Sequence, residues 1–141
     1  MNSRTLLVIS GIVGAAGIAI GAFGAHALPG MLADLTEAEI QQRSDWLETG
    51  SRYHMYHAAA LLAVAVAAAG RSRRFLVAPV AWLVGIVSFS GCLYAMALTG
   101  VRVLGAVVPI GGVAFIVGWL SIATSAWRKP ETTDCVEGKD A

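Results

Sequence analysis

Long apolar runs separated by short polar connections dominate this chain, and their lengths predict its elements. Four runs carry no Asp, Glu, Lys or Arg: 5–28, 55–70, 75–100 and 103–127. A hydrocarbon core about 30 Å thick needs about 20 helical residues to cross it, and three of the runs reach that length. The second run is shorter, but a helix that begins at Arg52 would extend about 27 Å at 1.5 Å per residue. The pattern therefore predicts four membrane-spanning helices, at about 5–28, 52–70, 75–100 and 103–127.

The runs are predicted to be helices because of what hydrocarbon requires of the backbone. Every backbone polar group inside a bilayer needs a partner within the protein, so only helices and closed barrels cross it. A barrel would need strands with polar residues at alternate positions, and the runs lack that alternation. The predicted fold is an all-α integral membrane protein, a bundle of four transmembrane helices in a single domain over residues 1–128. The polar residues 129–141 are expected to form a disordered cytoplasmic tail.

The longest connection, residues 29–51, predicts a short amphipathic helix between the first two spans. Thr36 and Glu39 have the S/T-x-x-E form of a capping box, so a helix is expected to begin there. Its apolar side chains share one face and most of its charged side chains the other, which suits a helix lying along the membrane surface. Gly50 is expected to end this helix in a left-handed cap before Ser51 caps the second span.

The composition is that of a membrane protein rather than a soluble domain. Apolar residues make up 57% of the chain and charged residues 13%, whereas a soluble domain is about half apolar and a quarter charged. The net charge of +1 gives no reason to expect a nucleic-acid partner. Cys92 and Cys135 have no neighbouring Cys or His at a zinc-binding spacing, so both are expected to be free thiols.

Lys and Arg are distributed unequally between the two sides of the membrane, which predicts the orientation. The positive-inside rule assigns the side with more Lys and Arg in its short loops to the cytoplasm. Both termini and the 70–74 turn are therefore expected on the cytoplasmic side of the inner membrane. The cytoplasmic side holds Arg4, Arg71, Arg73, Arg74, Arg128, Lys129 and Lys139, and the outer side holds Arg43, Arg52 and Arg102.

The first apolar run has a second interpretation, as a cleaved signal peptide. Arg4 precedes the run, and Ala25-His26-Ala27 has the A-x-A form of a cleavage site. The uninterrupted apolar run, however, is about 21 residues long, against about 7–15 in a signal core. Retention of the segment as a transmembrane helix is therefore favoured.

Two spans carry residues that favour unusual helix geometry. Gly14, Gly17, Gly21 and Gly24 fall within about 80° of arc on the first helix, and such small residues let helix backbones approach closely. We interpret them as packing residues within the bundle, with a dimer seam as the alternative. In the fourth span, Pro109 removes one backbone donor, so a kink is expected there with Gly111 and Gly112.

The three histidines are predicted to gather at the outer ends of the first two spans. His54 and His57 lie about one turn apart on one helix, and His26 lies at the end of the other. With Glu48 nearby, they could bind a metal ion or a haem. The favoured interpretation is that they are interfacial residues whose polar tips are wetted or bonded to the loop, and an organic ligand is a further alternative.

Several function classes are disfavoured by residues that the spans lack. None of the four apolar runs contains Asp, Glu, Lys or Arg, whereas proton-coupled transporters generally keep such a group inside the membrane. The chain also has no Walker loop, dinucleotide-binding fingerprint or nucleophile elbow. It is therefore not expected to be an enzyme, and a passive channel or transporter is disfavoured.

Four linked motifs occur in order along the chain. They are GAFGAHAL at 21–28, ETGSRYHMYHA at 48–58, FSGCLY with LTG within 89–100, and PIGG with a later Phe and Gly-Trp within 109–119. Together they resemble the small inner-membrane protein family typified by YgdD, whose function is unknown. The resemblance covers about residues 21–119 and implies four spans and a membrane location, but no reaction.

The sequence therefore predicts a non-enzymatic structural or accessory membrane component, without a cofactor. Its predicted partner is the lipid bilayer, and a homo-oligomer or a membrane-complex partner is left open. The alternative function is a binding module for a metal, haem or lipid-like ligand at His26, His54 and His57.

Overall fold

A computed structural model describes residues 2–68 and 76–127, and every regular element in these two ranges is helical. The predicted tail at 129–141 lies outside the described residues. The helices are α1 (Ser3–His26), α2 (Leu28–Met31), α3 (Glu37–Ala67), α4 (Val77–Gly85), a π-helical turn (Ile86–Ser90), α5 (Gly91–Thr99), a 3₁₀ turn (Arg102–Ala106) and α6 (Val108–Trp127).

Among the described residues, three helices are long and apolar enough to cross a membrane: Ser3–His26, Val77–Thr99 and Arg102–Ser125. They expose large apolar side chains on their outer surface; Ile12 and Ile18 of α1, for example, are each 64% exposed. Such a surface is costly in water and suits hydrocarbon. The structure therefore confirms an all-helical fold with membrane-spanning segments, with three clear candidates where the sequence predicts four.

The predicted surface helix and the predicted second span form one continuous helix, α3, and the prediction of a break at Gly50 is wrong. The capping box at its start is confirmed: Thr36 Oγ accepts from the Glu39 N–H at 3.4 Å, and the Glu39 carboxylate accepts from the Thr36 N–H at 3.1 Å. Gly50 is an ordinary helical residue, and within the described ranges only Gly100 has a positive φ, of 75°. Gly50 lies beneath the Tyr94 ring, where an added Cβ would be 2.8 Å from a ring carbon. The glycine therefore serves close packing rather than helix termination.

The third span runs from α4 through the π turn into α5. The Gly91 N–H donates to the Ile86 carbonyl, five residues earlier, which is the π-helical pattern. Gly100 then ends α5 in the left-handed conformation, and its N–H donates to the Met96 carbonyl at 2.8 Å. Because that conformation is open to glycine at little cost, the chain can turn here toward the 3₁₀ segment.

The fourth apolar run begins with the 3₁₀ turn, and the α-helix starts only at Val108. Pro109 therefore lies in the first turn of α6 rather than in the middle of a continuous helix. The first N–H groups of a helix have no intrahelical partner, so a proline costs little there. The irregular geometry lies around Val107, where the 3₁₀ turn gives way to α6.

The helix α3 is the centre of the bundle, in contact with α1, α4 and α5, while α4 packs on α6. Two apolar clusters fill the interior. The first surrounds Leu61, Trp82 and Phe115, and the second surrounds Leu28 and Leu47 near the loop end of α3. The polar residues between these two clusters form the interior site described next.

Candidate functional site

Two imidazoles from α3 are buried between the helices, inside the membrane-spanning bundle. His54 is 5% exposed and His57 4% exposed. The His57 ring stacks on Phe115 of α6, with ring centroids 3.6 Å apart and planes within 8° of parallel. Trp82 and Trp119 pack at an angle to the same imidazole, at centroid distances of 6.1 and 6.3 Å. The sequence analysis placed these histidines at the outer helix ends, with their tips wetted or bonded to the loop, whereas they are buried beside aromatic rings.

The hydrogen bonds of His57 determine its protonation state. The Trp119 indole N–H points at His57 Nε2 over 3.3 Å, and an indole nitrogen can only donate. His57 Nε2 must therefore be the acceptor and carry no proton. Nδ1 then carries the proton and donates to the Tyr53 carbonyl at 2.7 Å. The ring is the neutral Nδ1–H tautomer, with both nitrogens engaged.

His54 links α3 to two other helices. Its Nε2 lies 3.0 Å from the Val13 carbonyl of α1, which can only accept, so Nε2 is protonated. Its Nδ1 lies 3.1 Å from the Tyr94 hydroxyl of α5, which can donate to a neutral ring. The His54 side chain thereby joins α1, α3 and α5 at one level of the bundle.

Buried hydroxyls surround the Tyr94 end of this network. The side chains of Ser51 and Ser90 approach Tyr94, and Ser90, the last residue of the π turn, is fully buried. Neither serine hydroxyl has a hydrogen-bond partner of good geometry among the described residues, and the same holds for the Trp82 indole nitrogen. The interior at this level is therefore polar but contains no charged side chain.

The structure separates the three histidines that the sequence predicted to lie together. His26 is exposed at the end of α1. It lies 13 residues after Val13, the α1 partner of His54, which is about 20 Å along a helix. Glu48 is exposed and pairs with Arg52 on the same helix. Among residues 2–68 and 76–127, no three His, Cys, Asp or Glu side chains are grouped so as to hold a metal ion.

The four glycines of α1 that were predicted to pack against other helices lie in two different environments. Gly17, Gly21 and Gly24 face α3: an added Cβ at Gly17 would lie 2.6 Å from the Met55 sulfur, and one at Gly24 would overlap the Leu47 side chain. Gly14, in contrast, has no neighbour within 4 Å of an added Cβ. Three of the four glycines therefore lie at the α1–α3 contact.

The glycines of α6 take part in a second close contact. Gly111 lies on the π turn, where an added Cβ would be 2.5 Å from the Phe89 nitrogen, and Gly118 lies on Trp82 of α4. Gly112 has only a contact at 4.0 Å with Phe89, and Pro109 is exposed. Of the predicted kink residues, only Gly111 lies at a tight interface.

The aromatic partners of the histidines were missed by the sequence reasoning. Phe115 and Trp119 are spaced four residues apart in α6, so both lie on the same side of that helix. This spacing could have indicated a shared partner, but it could not have identified His57. Tyr94 is 40 residues from His54 in sequence, and no local pattern joins the two.

Comparisons with a family model and with known proteins point to the same group of membrane proteins. The family model described as "Protein of unknown function (DUF423)" matches residues 20–112. The membrane protein YwdK of Bacillus subtilis is 39% identical over 125 residues, which cover 87% of this chain and 96% of that protein. The inner membrane protein YgdD of Escherichia coli K12 is 38% identical over 129 residues, covering 91% and 93%. No solved structure matches. This chain therefore belongs to the DUF423 family of membrane proteins, whose members named here have no assigned biochemical function.

Proposed function

We propose that this protein is a non-enzymatic accessory component of the inner membrane, and that its buried histidines hold the helices together. The observation that carries the proposal is that both nitrogens of both imidazoles are engaged by protein groups. A histidine that ligates a metal or transfers a proton needs a nitrogen open to the ligand or substrate. His54 and His57 instead connect α3 with α1, α5 and α6.

We further propose that the chain crosses the membrane four times as a single domain over residues 1–128, with both termini in the cytoplasm. The second crossing would be the part of α3 that follows Arg52. From Met55 to Ala67 this part of α3 contains no charged residue, and it packs between α1 and α4. The unequal distribution of Lys and Arg supports the orientation.

Cofactor analysis of detergent-purified protein tests the accessory role. We expect no Soret band, no stoichiometric metal, and a melting curve that neither EDTA nor Zn²⁺ moves. Variants His54→Ala and His57→Ala should melt at lower temperature than wild type, whereas His26→Ala should match it because that ring is exposed. A bound cofactor that disappears in either buried-histidine variant would contradict the proposal.

A further inference from the structure

A small polar pocket lies where the outer ends of the third and fourth spans meet the start of α3. Its volume is about 120 Å³, and its lining includes Arg43, Trp46, Gly100 and Arg102. Gly100 follows the third span and Arg102 opens the fourth, so the pocket lies at the level of the lipid headgroups. A Trp at that level is typical of a membrane–water interface.

Among the described residues, the two arginines of this pocket donate hydrogen bonds to uncharged oxygen atoms. Arg43 donates to the Leu98 carbonyl at 3.2 Å, and Arg102 donates to the Gln42 side-chain oxygen at 2.7 Å. Gly100 lies against the Arg43 guanidinium, and a Cβ at that position would overlap it. In the described part of the chain, neither guanidinium has a carboxylate within salt-bridge distance.

The acidic residue in the pocket, Glu39, neutralises only part of this positive charge. The carboxylate of Glu39 accepts from the Thr36 N–H at 3.1 Å and from the Thr36 hydroxyl at 2.7 Å. With two guanidinium groups and one carboxylate lining it, the pocket retains a positive charge. Guanidinium groups bind phosphate oxygens through paired N–H donors, so an anionic phosphate is the complementary ligand.

An apolar groove lies next to the pocket. Its volume is about 320 Å³, and its lining comes from α1, α3 and α5: Ala19, Ile20, Phe23, Leu47, Tyr94 and Leu98. Leu98 joins the two features, because its side chain lines the groove while its carbonyl accepts from Arg43. A charged pocket at headgroup level beside an apolar groove fits a ligand with an anionic head and a hydrocarbon tail.

We propose that this site binds one anionic phospholipid, with its phosphate on Arg43 and Arg102 and one acyl chain in the groove. The groove shares Tyr94 with the His54 network, because Tyr94 both lines the groove and hydrogen bonds His54. A bound lipid would therefore contact the residue that connects α5 to α3. The proposal does not depend on the accessory role proposed above.

Native mass spectrometry of the full chain in detergent tests the site. Phosphatidylglycerol and phosphatidylcholine with identical acyl chains would be titrated separately. We expect one phosphatidylglycerol to bind more tightly than phosphatidylcholine, and Arg43→Gln and Arg102→Gln each to weaken it by about tenfold, as for the loss of a charge-assisted hydrogen bond. Arg52→Gln is the matched control, because Arg52 is an exposed arginine on the same helix outside the pocket.

A substitution in the groove and a soluble competitor complete the test. Ala19→Phe should weaken phosphatidylglycerol binding by filling the groove, and glycerol phosphate should compete poorly because it has no acyl chain. Equal binding of the two lipids, an equal loss in Arg52→Gln, or full competition by glycerol phosphate would each overturn the proposal. If Arg43→Gln does not fold because it lacks the hydrogen bond to Leu98, Arg102→Gln still tests the phosphate site. The partner of Arg102, Gln42, is exposed, so losing their hydrogen bond should not prevent folding.

Discussion

At the scale of single residues, hydrogen bonding explains why histidine is present inside a bundle whose apolar runs carry no charged residue. A neutral imidazole offers one donor and one acceptor on opposite sides of a ring. His54 uses both to join two neighbouring helices, and His57 uses one for α6 while its ring stacks on Phe115. In hydrocarbon these groups have no water to return to, so an unpaired partner is costly.

His57→Phe isolates the hydrogen bonds of that residue from its packing. Phenylalanine keeps a ring against Phe115 but leaves the Trp119 N–H without its acceptor. Because an unsatisfied buried polar group costs about 1–3 kcal/mol, we expect a lower melting temperature in detergent. His26→Phe is the control at an exposed position. Equal melting of His57→Phe and wild type would show that the ring contributes by shape alone.

At the scale of the elements, glycine decides how closely α1 approaches α3. Gly17 and Gly24 lie against Met55 and Leu47, whereas Gly14 on the same helix faces open space. Lipid supplies no hydrophobic force between helices, so their association depends on such close van der Waals contact. Gly17, Gly21 and Gly24 therefore lie at the α1–α3 contact, and Gly14 is the position left open for a dimer seam.

Leucine substitutions along α1 test this division. Gly17→Leu and Gly24→Leu should each destabilise the protein by about 1–3 kcal/mol, the cost of overpacking a close contact. Gly14→Leu should be neutral or slightly stabilising, because leucine has the higher helix propensity. Melting temperature and size-exclusion profile in detergent measure both effects. A smaller oligomer in Gly14→Leu would indicate the dimer seam instead.

The start of α3 carries a pH-dependent contribution to stability. The hydrogen bond from the Thr36 hydroxyl lowers the pKa of the Glu39 carboxyl below its ordinary value of 4.5. A carboxyl with a lowered pKa in the folded state stabilises the protein above its ordinary pKa and loses that effect as the pH falls through the lowered value. We therefore expect wild type to melt above Glu39→Gln at pH 7 and the difference to shrink below pH 4.5. A difference independent of pH would contradict this assignment.

At the scale of the whole molecule, the length and composition of α3 bear on how it crosses the membrane. This helix has 31 residues, which is about 46 Å at 1.5 Å per residue and longer than the hydrocarbon core. Its first half carries the charged residues and its second half is apolar, so it is expected to extend from the outer aqueous side into the bilayer. The charged half and the apolar half therefore belong to one continuous helix, of which the apolar half would form the second crossing.

Topology reporters test the four crossings directly. Reporters fused after Arg73 and at the C-terminus should read cytoplasmic, and one inserted near Gln42 should read external, because Lys and Arg favour the cytoplasmic side. Insertion at Gln42 can be paired with one at Ala38, on the same side of the predicted crossing. A cytoplasmic signal at both insertion sites would show that the orientation is wrong.

Sequence alone determined the class of this protein, because hydrophobic content, run length and the Thr36–Glu39 cap act locally along the chain. These features predicted a helical membrane protein and the start of α3. Tertiary structure decided what Gly50 does, since its close contact with Tyr94 joins residues 44 positions apart in sequence. It likewise decided that His54 and His57 face an aromatic interior while His26 stays outside, because that depends on how α1 and α6 pack against α3. Helix capping and hydrophobicity are properties of neighbours in sequence, whereas the partner of a buried polar group is chosen only when distant helices meet.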